Sequence, residues 1–198
     1  MASARDIAVK VLLKVEREQA FAAAVLAAET KVLNDDREVA LAFELVLGCL
    51  RRQSWLDYLL ASVAQKGLKK IDPEVLQILR VGAYQIAFLS KIPVSAAVNE
   101  AVNACRKSHA PGLSGLVNAL LRKLSGLPQE TLVSPEADDD AEIEILALRC
   151  GLPSWLLDEF VNRFGRQGAI KIATVFNAPS RRTLRINTNK ISRDRVLA

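Results

Sequence analysis

The stretch from Asp72 to Leu89 reads D-P-E-V-L-Q-I-L-R-V-G-A-Y-Q-I-A-F-L, and it decides the fold. Asp72 can cap a helix, and Pro73 suits a first turn, where no backbone N–H donor is needed. The residues after this cap are apolar around most of the helix circumference. The polar exceptions share one narrow face: Gln77, Arg80 and Tyr84. Because a helix that is apolar on nearly all sides is buried on nearly all sides, the sequence predicts an all-α domain with this helix at its centre.

Apolar residues recur at helical spacing through most of the remaining chain. Before the central helix, we predict helices that begin at Ser3, span Ala20–Thr30, and are capped by Asn34 and by Ser54. After it, we predict helices from Ser95 to Lys107 and from Leu113 to Leu124. Further helices are expected over 142–149, 153–164 and 167–177, with Gly165 ending the second of these.

Near the end of the sequence, Arg182 to Thr188 alternates polar and apolar residues and is rich in β-formers, which predicts a strand. We expect the natural protein to continue beyond Ala198, because a lone strand needs partners. Ser192 can cap one more helix.

Charge is unevenly distributed along the chain. Residues 1–133 carry 17 Lys and Arg against 13 Asp and Glu, residues 134–180 carry 4 against 8, and residues 181–198 carry 6 against 1. A basic helical block, an acidic connector and a basic tail therefore follow one another. Basic blocks favour polyanionic partners such as nucleic acid.

Several classes of protein are disfavoured. The three cysteines are far apart, and His109 is the only histidine, which argues against a zinc site and a disulfide framework. We therefore predict no metal. The N-terminus lacks the apolar core of a signal peptide, and Arg80 interrupts the central helix, so we predict a cytoplasmic protein with no membrane contact.

Several motifs occur in a recognisable order. They are Trp55-Leu56-Asp57, Leu79-Arg80-Val81-Gly82-Ala83-Tyr84, Val98-Asn99-Glu100-Ala101-Val102 and Val117-Asn118-Ala119-Leu120-Leu121-Arg122. Over residues 4–126 this order resembles the NusB antitermination-factor family, an all-helical RNA-binding fold. The later Leu152-Pro153-Ser154-Trp155, Asn177-Ala178-Pro179 and Thr183-Leu184-Arg185-Ile186-Asn187 resemble bacterial ribosomal-RNA cytosine-C5 methyltransferases of the Sun/Fmu (RsmB) type.

The resemblance implies a NusB-like domain, a small connecting domain and a C-terminal Rossmann-like domain that binds S-adenosylmethionine and carries the catalytic cysteines. We accordingly predict a NusB-like RNA-binding domain over 1–126, a linker over 127–140, and the start of an α/β connecting domain over 141–198. Residues 1–198 have no counterpart of the cofactor loop or the two active-site cysteines, so we predict no catalytic residue and no cofactor in them. In the parent protein, a cysteine would attack C6 of cytosine so that C5 can accept the methyl group.

Phosphate contacts need flexible or forked cations, and several on one surface give salt-dependent affinity. The predicted RNA-binding residues are Arg5, Lys10, Lys14, Arg17, Arg51, Arg52, Lys69, Lys70, Arg106, Lys107, Arg122 and Lys123, with Lys66 in the same pool. The first-helix group and the pair Arg51 and Arg52 are favoured. For any single lysine a solvated surface is the default. Since aromatic residues are few, we predict positioning of ribosomal RNA rather than base reading.

Other polar residues are predicted to be structural. Asn99, Asn103 and Asn118 are expected to be buried and to hydrogen-bond between helices. Arg80 is expected either to lay its stem along apolar surface or to form an ion pair with a carboxylate. His109 is expected in an exposed loop, and the cysteines in ordinary settings. Gly165-Arg166-Gln167-Gly168 matches the Gly-x-x-Gly loop of KH domains only weakly.

Two alternatives remain open. One is a stand-alone antitermination factor that works through RNA and a ribosomal protein. The other is a helical protein–protein module without an RNA role. A protein partner or a homodimer is also left open.

Overall fold

The computed structural model describes residues 3–133, 142–177 and 185–197. The helices in these ranges are α1 (Ala4–Glu18), α2 (Ala22–Glu29), α3 (Asp36–Arg51), α4 (Gln53–Val63), α5 (Pro73–Phe88), α6 (Val94–Lys107), α7 (Ser114–Ser125), α8 (Gln129–Val133), α9 (Ile143–Cys150), α10 (Ser154–Asn177) and α11 (Arg193–Leu197). Short 3-10 turns at Thr30–Val32 and Pro111–Leu113 follow α2 and precede α7.

Helix α5 lies at the centre of a helical bundle, as predicted. One carboxylate oxygen of Asp72 accepts hydrogen bonds from the backbone N–H groups of Glu74 and Val75, at 2.9 and 3.2 Å. From Gln77 to Ala87 every residue is buried. The helix contacts α1, α3, α4, α6, α7 and α8. The cap fixes where the helix begins, and burial on all sides stabilises the rest of it.

The polar face of α5 hydrogen-bonds to carboxylates on three neighbouring helices. Gln77 donates to Glu16 of α1, and the hydroxyl of Tyr84 donates to Glu44 of α3 at 2.6 Å. The guanidinium of Arg80 forms two 2.8 Å hydrogen bonds with Asp57 of α4, and it lies 3.6 Å from a carboxylate oxygen of Glu16. The predicted ion pair of Arg80 is therefore confirmed.

The starts of the other helices agree with the sequence to within a residue or two. Ser3 and Asp6 form the predicted capping box of α1. The predicted cap at Asn34 is wrong, because the carboxylate of Asp35 accepts from the N–H of Arg37 instead. Helix α4 already begins at Gln53, since only Arg52 separates it from α3, so Ser54 is not a cap. Ser95 is likewise inside α6, which begins after Pro93.

Part of the segment predicted as a linker is helical and belongs to the bundle. Leu132 of α8 is buried, and its carbonyl oxygen accepts a hydrogen bond from the indole N–H of Trp55 at 2.9 Å. Residues 134–141 lie outside the described residues. They comprise the rest of the predicted linker and the first residue of the predicted connecting domain. The predicted domain boundaries stay a prediction.

A second, smaller core forms between α9 and α10. It contains Leu146, Ala147, Cys150, Leu157, Ala169, Ile170 and Ala173. At Gly165 the backbone has φ 68° and ψ 167°, which interrupts α10 where the sequence predicts a helix end. Helix α9 packs on α4, and the guanidinium of Arg149 lies 5.2 Å from the centroid of the Trp55 ring.

The described residues contain no β-strand. Of the segment predicted as a strand, residues 182–184 lie outside the described residues, and residues 185–188 belong to neither a helix nor a strand. A strand needs a paired neighbour for its backbone hydrogen bonds, and the described residues supply none. Helix α11 begins after Ser192, as predicted. Across the described ranges, no helix is both long and apolar enough to cross a bilayer.

Candidate nucleic-acid interface

The favoured first-helix cations are largely committed to contacts within the protein. The ammonium groups of Lys10 and Lys14 lie 2.7 and 2.8 Å from the two carboxylate oxygens of Glu29, which joins α1 to α2. These hydrogen bonds lower the pKa of Glu29 and raise that of Lys14. Arg5 donates to the side-chain carbonyl of Gln85 at 2.8 Å. Arg17 is exposed and forms no ion pair with any described residue.

In the favoured pair Arg51 and Arg52, one residue also makes a contact within the protein. The guanidinium of half-buried Arg52 lies 4.3 Å from the centroid of the Phe88 ring, a cation–π contact between the α3–α4 junction and α5. Burial lowers the pKa of Arg52, but a guanidinium stays charged at neutral pH. Arg51, next to it, is exposed. Lys69 and Lys107 are exposed as well.

Three other lysines surround one groove, which we call the apolar groove. Two of them are predicted RNA-binding residues, and the third, Lys66, was considered with them. It lies between the α4–α5 connection and α7 and has a volume of about 440 Å³. Its cations are Lys66, Lys70 and Lys123, and its apolar lining includes Ile71, Leu116 and Leu120. None of the described residues lining this groove is acidic.

A second groove, which we call the polar groove, lies between α6 and α7. It has a volume of about 500 Å³ and is lined by Asn99, Val102, Asn103, Arg106, Ser114, Gly115 and Asn118. Asn118, which lines this groove, accepts a hydrogen bond through its side-chain oxygen from the guanidinium of Arg122 at 2.9 Å. Here too, the lining contributed by the described residues includes no carboxylate.

The expectation that the three asparagines are buried between helices is wrong. Asn99 and Asn103 are exposed, and Asn118 is half-buried and bonds within its own helix. Helices α6 and α7 bury their Ala, Val, Leu and Cys faces against the core instead. The repeated Val-Asn-Ala of residues 102–104 and 117–119 was the signal in the sequence that could have drawn attention to this groove.

The exposed side of α7 separates the two grooves. It carries Gly115, Leu116, Ala119, Arg122 and Lys123. We define the α7 face as this side together with the cations that line the two grooves, so that its five cations are Lys66, Lys70, Arg106, Arg122 and Lys123. Arg122 and Lys123 lie in the last turn of α7, where positive charge suits the negative end of the helix dipole. The structure therefore brings five cations together around one helix.

The loop that leads into α7 is tied to the start of α5. His109 is exposed, as predicted, but one ring nitrogen lies 2.8 Å from Asp72 and the other contacts Glu74. These hydrogen bonds raise the pKa of His109. The three side chains place ligand atoms within 4.8 Å of one another. Because the carboxylates contact opposite ring nitrogens, the cluster is an ion-pair arrangement rather than a preformed metal site.

This cluster predicts a pH-dependent contribution of His109 to stability. A group whose pKa is raised in the folded state stabilises the fold below its ordinary pKa, and the contribution disappears as the pH rises through the folded-state pKa. We expect His109→Gln to lower the melting temperature at about pH 5.5 and to have little effect at about pH 9. Thermal melts of both proteins across this range test it, and a difference that does not vary with pH would contradict it.

The cysteines are poorly suited to nucleophilic chemistry. Burial raises the pKa of Cys49 and Cys105, and it raises that of Cys150 to about 11. All three thiols are buried, and none of these cysteines forms a disulfide. Because the thiolate is the nucleophile, these residues offer little of the reactive form at neutral pH.

Comparison with known proteins divides the chain into two matched regions. The model of the NusB family matches residues 2–126. The model described as the Methyltr_RsmF/B-like, ferredoxin-like domain matches residues 152–198.

Among curated proteins, the probable ribosomal RNA small subunit methyltransferase B of Bacillus subtilis is 35% identical over 196 residues, which are 98% of this chain and 43% of that protein. The protein of the same name from Synechocystis is 30% identical over 197 residues, 99% of this chain and 43% of that protein. The chain thus spans less than half the length of these relatives.

Among solved structures, T. maritima NusB aligns with a TM-score of 0.59 and 20% identity, over 65% of this chain and 93% of that one. The structure of PH0851 aligns with a TM-score of 0.65 and 16% identity, over all of this chain and 44% of that one. At these identities the likeness shows the fold alone. The NusB family model matches residues 2–126, and the structure shows a helical bundle over the same residues. The chain therefore belongs to the NusB family.

Proposed function

We propose that this chain is the RNA-binding region of an S-adenosylmethionine-dependent methyltransferase that modifies cytosine C5 in small-subunit (16S-type) ribosomal RNA. In this proposal residues 1–198 position ribosomal RNA and perform no chemistry. The relatives named ribosomal RNA small subunit methyltransferase B support the reaction class. The whole protein would act in the cytoplasm and would bind S-adenosylmethionine outside these residues.

The α7 face is the observation that carries the RNA-binding part of the proposal. RNA contacts depend on cations that neutralise successive phosphates without nearby carboxylates that compete for them. Lys10 and Lys14 fail this condition because Glu29 holds both. Arg106, Lys66, Lys70 and Lys123 meet it in grooves that the described residues line without acids. We therefore favour the α7 face over the first-helix group.

Charge removal on this face tests the RNA-binding proposal. We expect Arg106→Ala/Arg122→Ala/Lys123→Ala to lower the affinity for a single-stranded ribosomal RNA fragment by about 10- to 100-fold at moderate salt. The slope of log K against log salt should fall by about 2, since each phosphate contact on a single strand contributes about 0.7. Fluorescence anisotropy at several salt concentrations measures both quantities.

A matched control removes the same charge elsewhere. Lys31 follows α2, Arg37 lies on α3, and Lys91 lies between α5 and α6. All three are exposed, form no ion pair with the described residues and line neither groove. Lys31→Ala/Arg37→Ala/Lys91→Ala should therefore lose less than about threefold in affinity. Equal losses in the two triple variants would mean that net charge, rather than the α7 face, governs binding.

The non-catalytic part of the proposal has its own test. We expect no transfer of radiolabelled methyl groups from S-adenosylmethionine to small-subunit ribosomal RNA by residues 1–198, since their thiols are buried and protonated. A full-length parent protein serves as the positive control. Transfer by residues 1–198 alone would place the active site in this region.

The alternatives predict different results. A protein–protein module would bind RNA weakly or without salt dependence. A stand-alone antitermination factor would bind RNA, but the ferredoxin-like match over residues 152–198 favours the methyltransferase. The domain boundaries and a protein partner or homodimer belong to the proposal and need separate tests.

A further inference from the structure

We infer that the polar groove between α6 and α7 is a recognition pocket for one unpaired RNA base. The inference rests on the proposed RNA-binding function and makes it more specific. It assigns a base-contacting role to Asn99, Asn103 and Asn118, and a phosphate contact to Arg106. The sequence alone predicts positioning of RNA without base reading, so the inference differs from that expectation.

The asparagines of the polar groove form few hydrogen bonds within the fold. Asparagine is a poorer helix former than alanine, because its side chain competes for backbone hydrogen bonds. Asn99 and Asn103 lie inside α6 one turn apart, and no described residue hydrogen-bonds to either side chain. Asn118 bonds to Arg122 only through its oxygen, which leaves its two N–H donors without a partner among the described residues.

The hydrogen-bonding groups of the polar groove suit a base better than a phosphate. A phosphate only accepts hydrogen bonds, whereas a side-chain amide offers both donors and an acceptor. Asn99 and Asn103 would therefore leave their acceptors unused against a phosphate, since only the oxygen of Asn118 already has a donor, Arg122. The edge of a base presents donors and acceptors side by side, which is why asparagine pairs well with base edges. Arg106, at the same groove, supplies the charge that a phosphate requires.

The polar groove has room for a single base. The groove volume of about 500 Å³ is within the range of small-ligand sites, roughly 300–1,000 Å³. Val102 adds an apolar surface to the otherwise polar lining. Proteins reach base edges in RNA mainly where the bases are unpaired and turned outward, since the major groove of an RNA duplex is too narrow for side chains. The substrate expected here is therefore single-stranded.

The test compares a base-bearing RNA with one lacking bases. The probes are a short single-stranded RNA and an oligonucleotide of the same length with abasic sites. We expect Asn99→Ala/Asn103→Ala to weaken binding of the base-bearing RNA by about tenfold and to leave the salt slope unchanged. Binding of the abasic oligonucleotide should not change. Asn162→Ala, at an exposed asparagine of α10, is the control and should bind both probes like the parent.

A loss of stability is not expected to weaken RNA binding by the Asn99→Ala/Asn103→Ala variant. Alanine is a better helix former than asparagine, and both sites are exposed, so the double variant should melt at the same or a higher temperature. If the parent protein binds neither probe, the proposed function fails. If it binds RNA but the double variant is unaffected, or loses affinity equally for both probes, the base pocket is wrong while RNA binding stands.

Discussion

Replacing Gly48 with alanine is expected to lower the free energy of unfolding of the bundle by about 2–3 kcal/mol, the cost of an overpacked core. An ideal Cβ on Gly48 would lie 2.1 Å from Cζ and 2.2 Å from the hydroxyl oxygen of Tyr84. The ring cannot easily retreat, because Tyr84 is 5% exposed and its hydroxyl bonds to Glu44. Gly48 is thus the point at which α3 admits the ring of Tyr84 from α5.

Urea unfolding measures this effect on the bundle alone if the fluorescence comes only from the tryptophan in the bundle. Trp155 is 69% exposed and lies on α10, whereas Trp55 is 1% exposed and lies in the bundle core. We would therefore use a Trp155→Phe background and follow the fluorescence of Trp55. Gly115→Ala is the control: nothing lies within 4 Å of its added Cβ, so it should stabilise α7 by up to about 1 kcal/mol.

A second variant tests the assignment of the clash to the tyrosine ring. In a Tyr84→Ala background the space opposite Gly48 is open, so Gly48→Ala should cost much less than in the parent. If the substitution costs the same in both backgrounds, the close approach of Tyr84 is not what requires glycine.

Replacing Arg80 with methionine is expected to lower the free energy of unfolding by about 2–3 kcal/mol. Arg80 has a side chain that is 6% exposed, and it is held by two 2.8 Å hydrogen bonds to Asp57. Methionine keeps much of the apolar stem but leaves the Asp57 carboxylate without its partner. Removing one member of a buried pair costs about 3–5 kcal/mol, and the 31% exposure of Asp57 reduces this because water screens the remaining charge.

The double variant Arg80→Met/Asp57→Leu distinguishes an ion-pair effect from a packing effect. When both charges are replaced by apolar side chains, the loss should be much smaller than for Arg80→Met alone. The same urea experiment provides the measurement. A double variant that is as unstable as the sum of the single variants would show that the two side chains act independently.

The sequence was most informative where structure is determined locally. The cap at Asp72 and the apolar circumference of α5 lie in one continuous stretch, so the central helix could be read directly. Where two neighbouring residues can each cap a helix, the predicted start was wrong by one residue: Asn34 was predicted as the cap of α3, and Asp35 is the cap. The strand predicted at the C-terminal end depends on a partner, and no described residue provides one.

The candidate site was less predictable because it depends on tertiary packing. Lys10 and Lys14 look like free cations in the sequence, and only the packing of α2 on α1 brings Glu29 between them. The asparagines of α6 and α7 face outward because the opposite faces of these helices pack in the core. Helical spacing alone does not show which of two mixed faces becomes the surface.

Cross-linking tests the central claim most directly, because it locates RNA on the protein without any substitution. A single-stranded ribosomal RNA fragment would be cross-linked by ultraviolet light to residues 1–198, and the attached peptides identified by mass spectrometry. We expect the cross-linked peptides to come from residues 66–70, from α6 and from α7. Cross-links concentrated in residues 5–17 of α1, with none in α6 or α7, would contradict the assignment of the RNA interface to the α7 face.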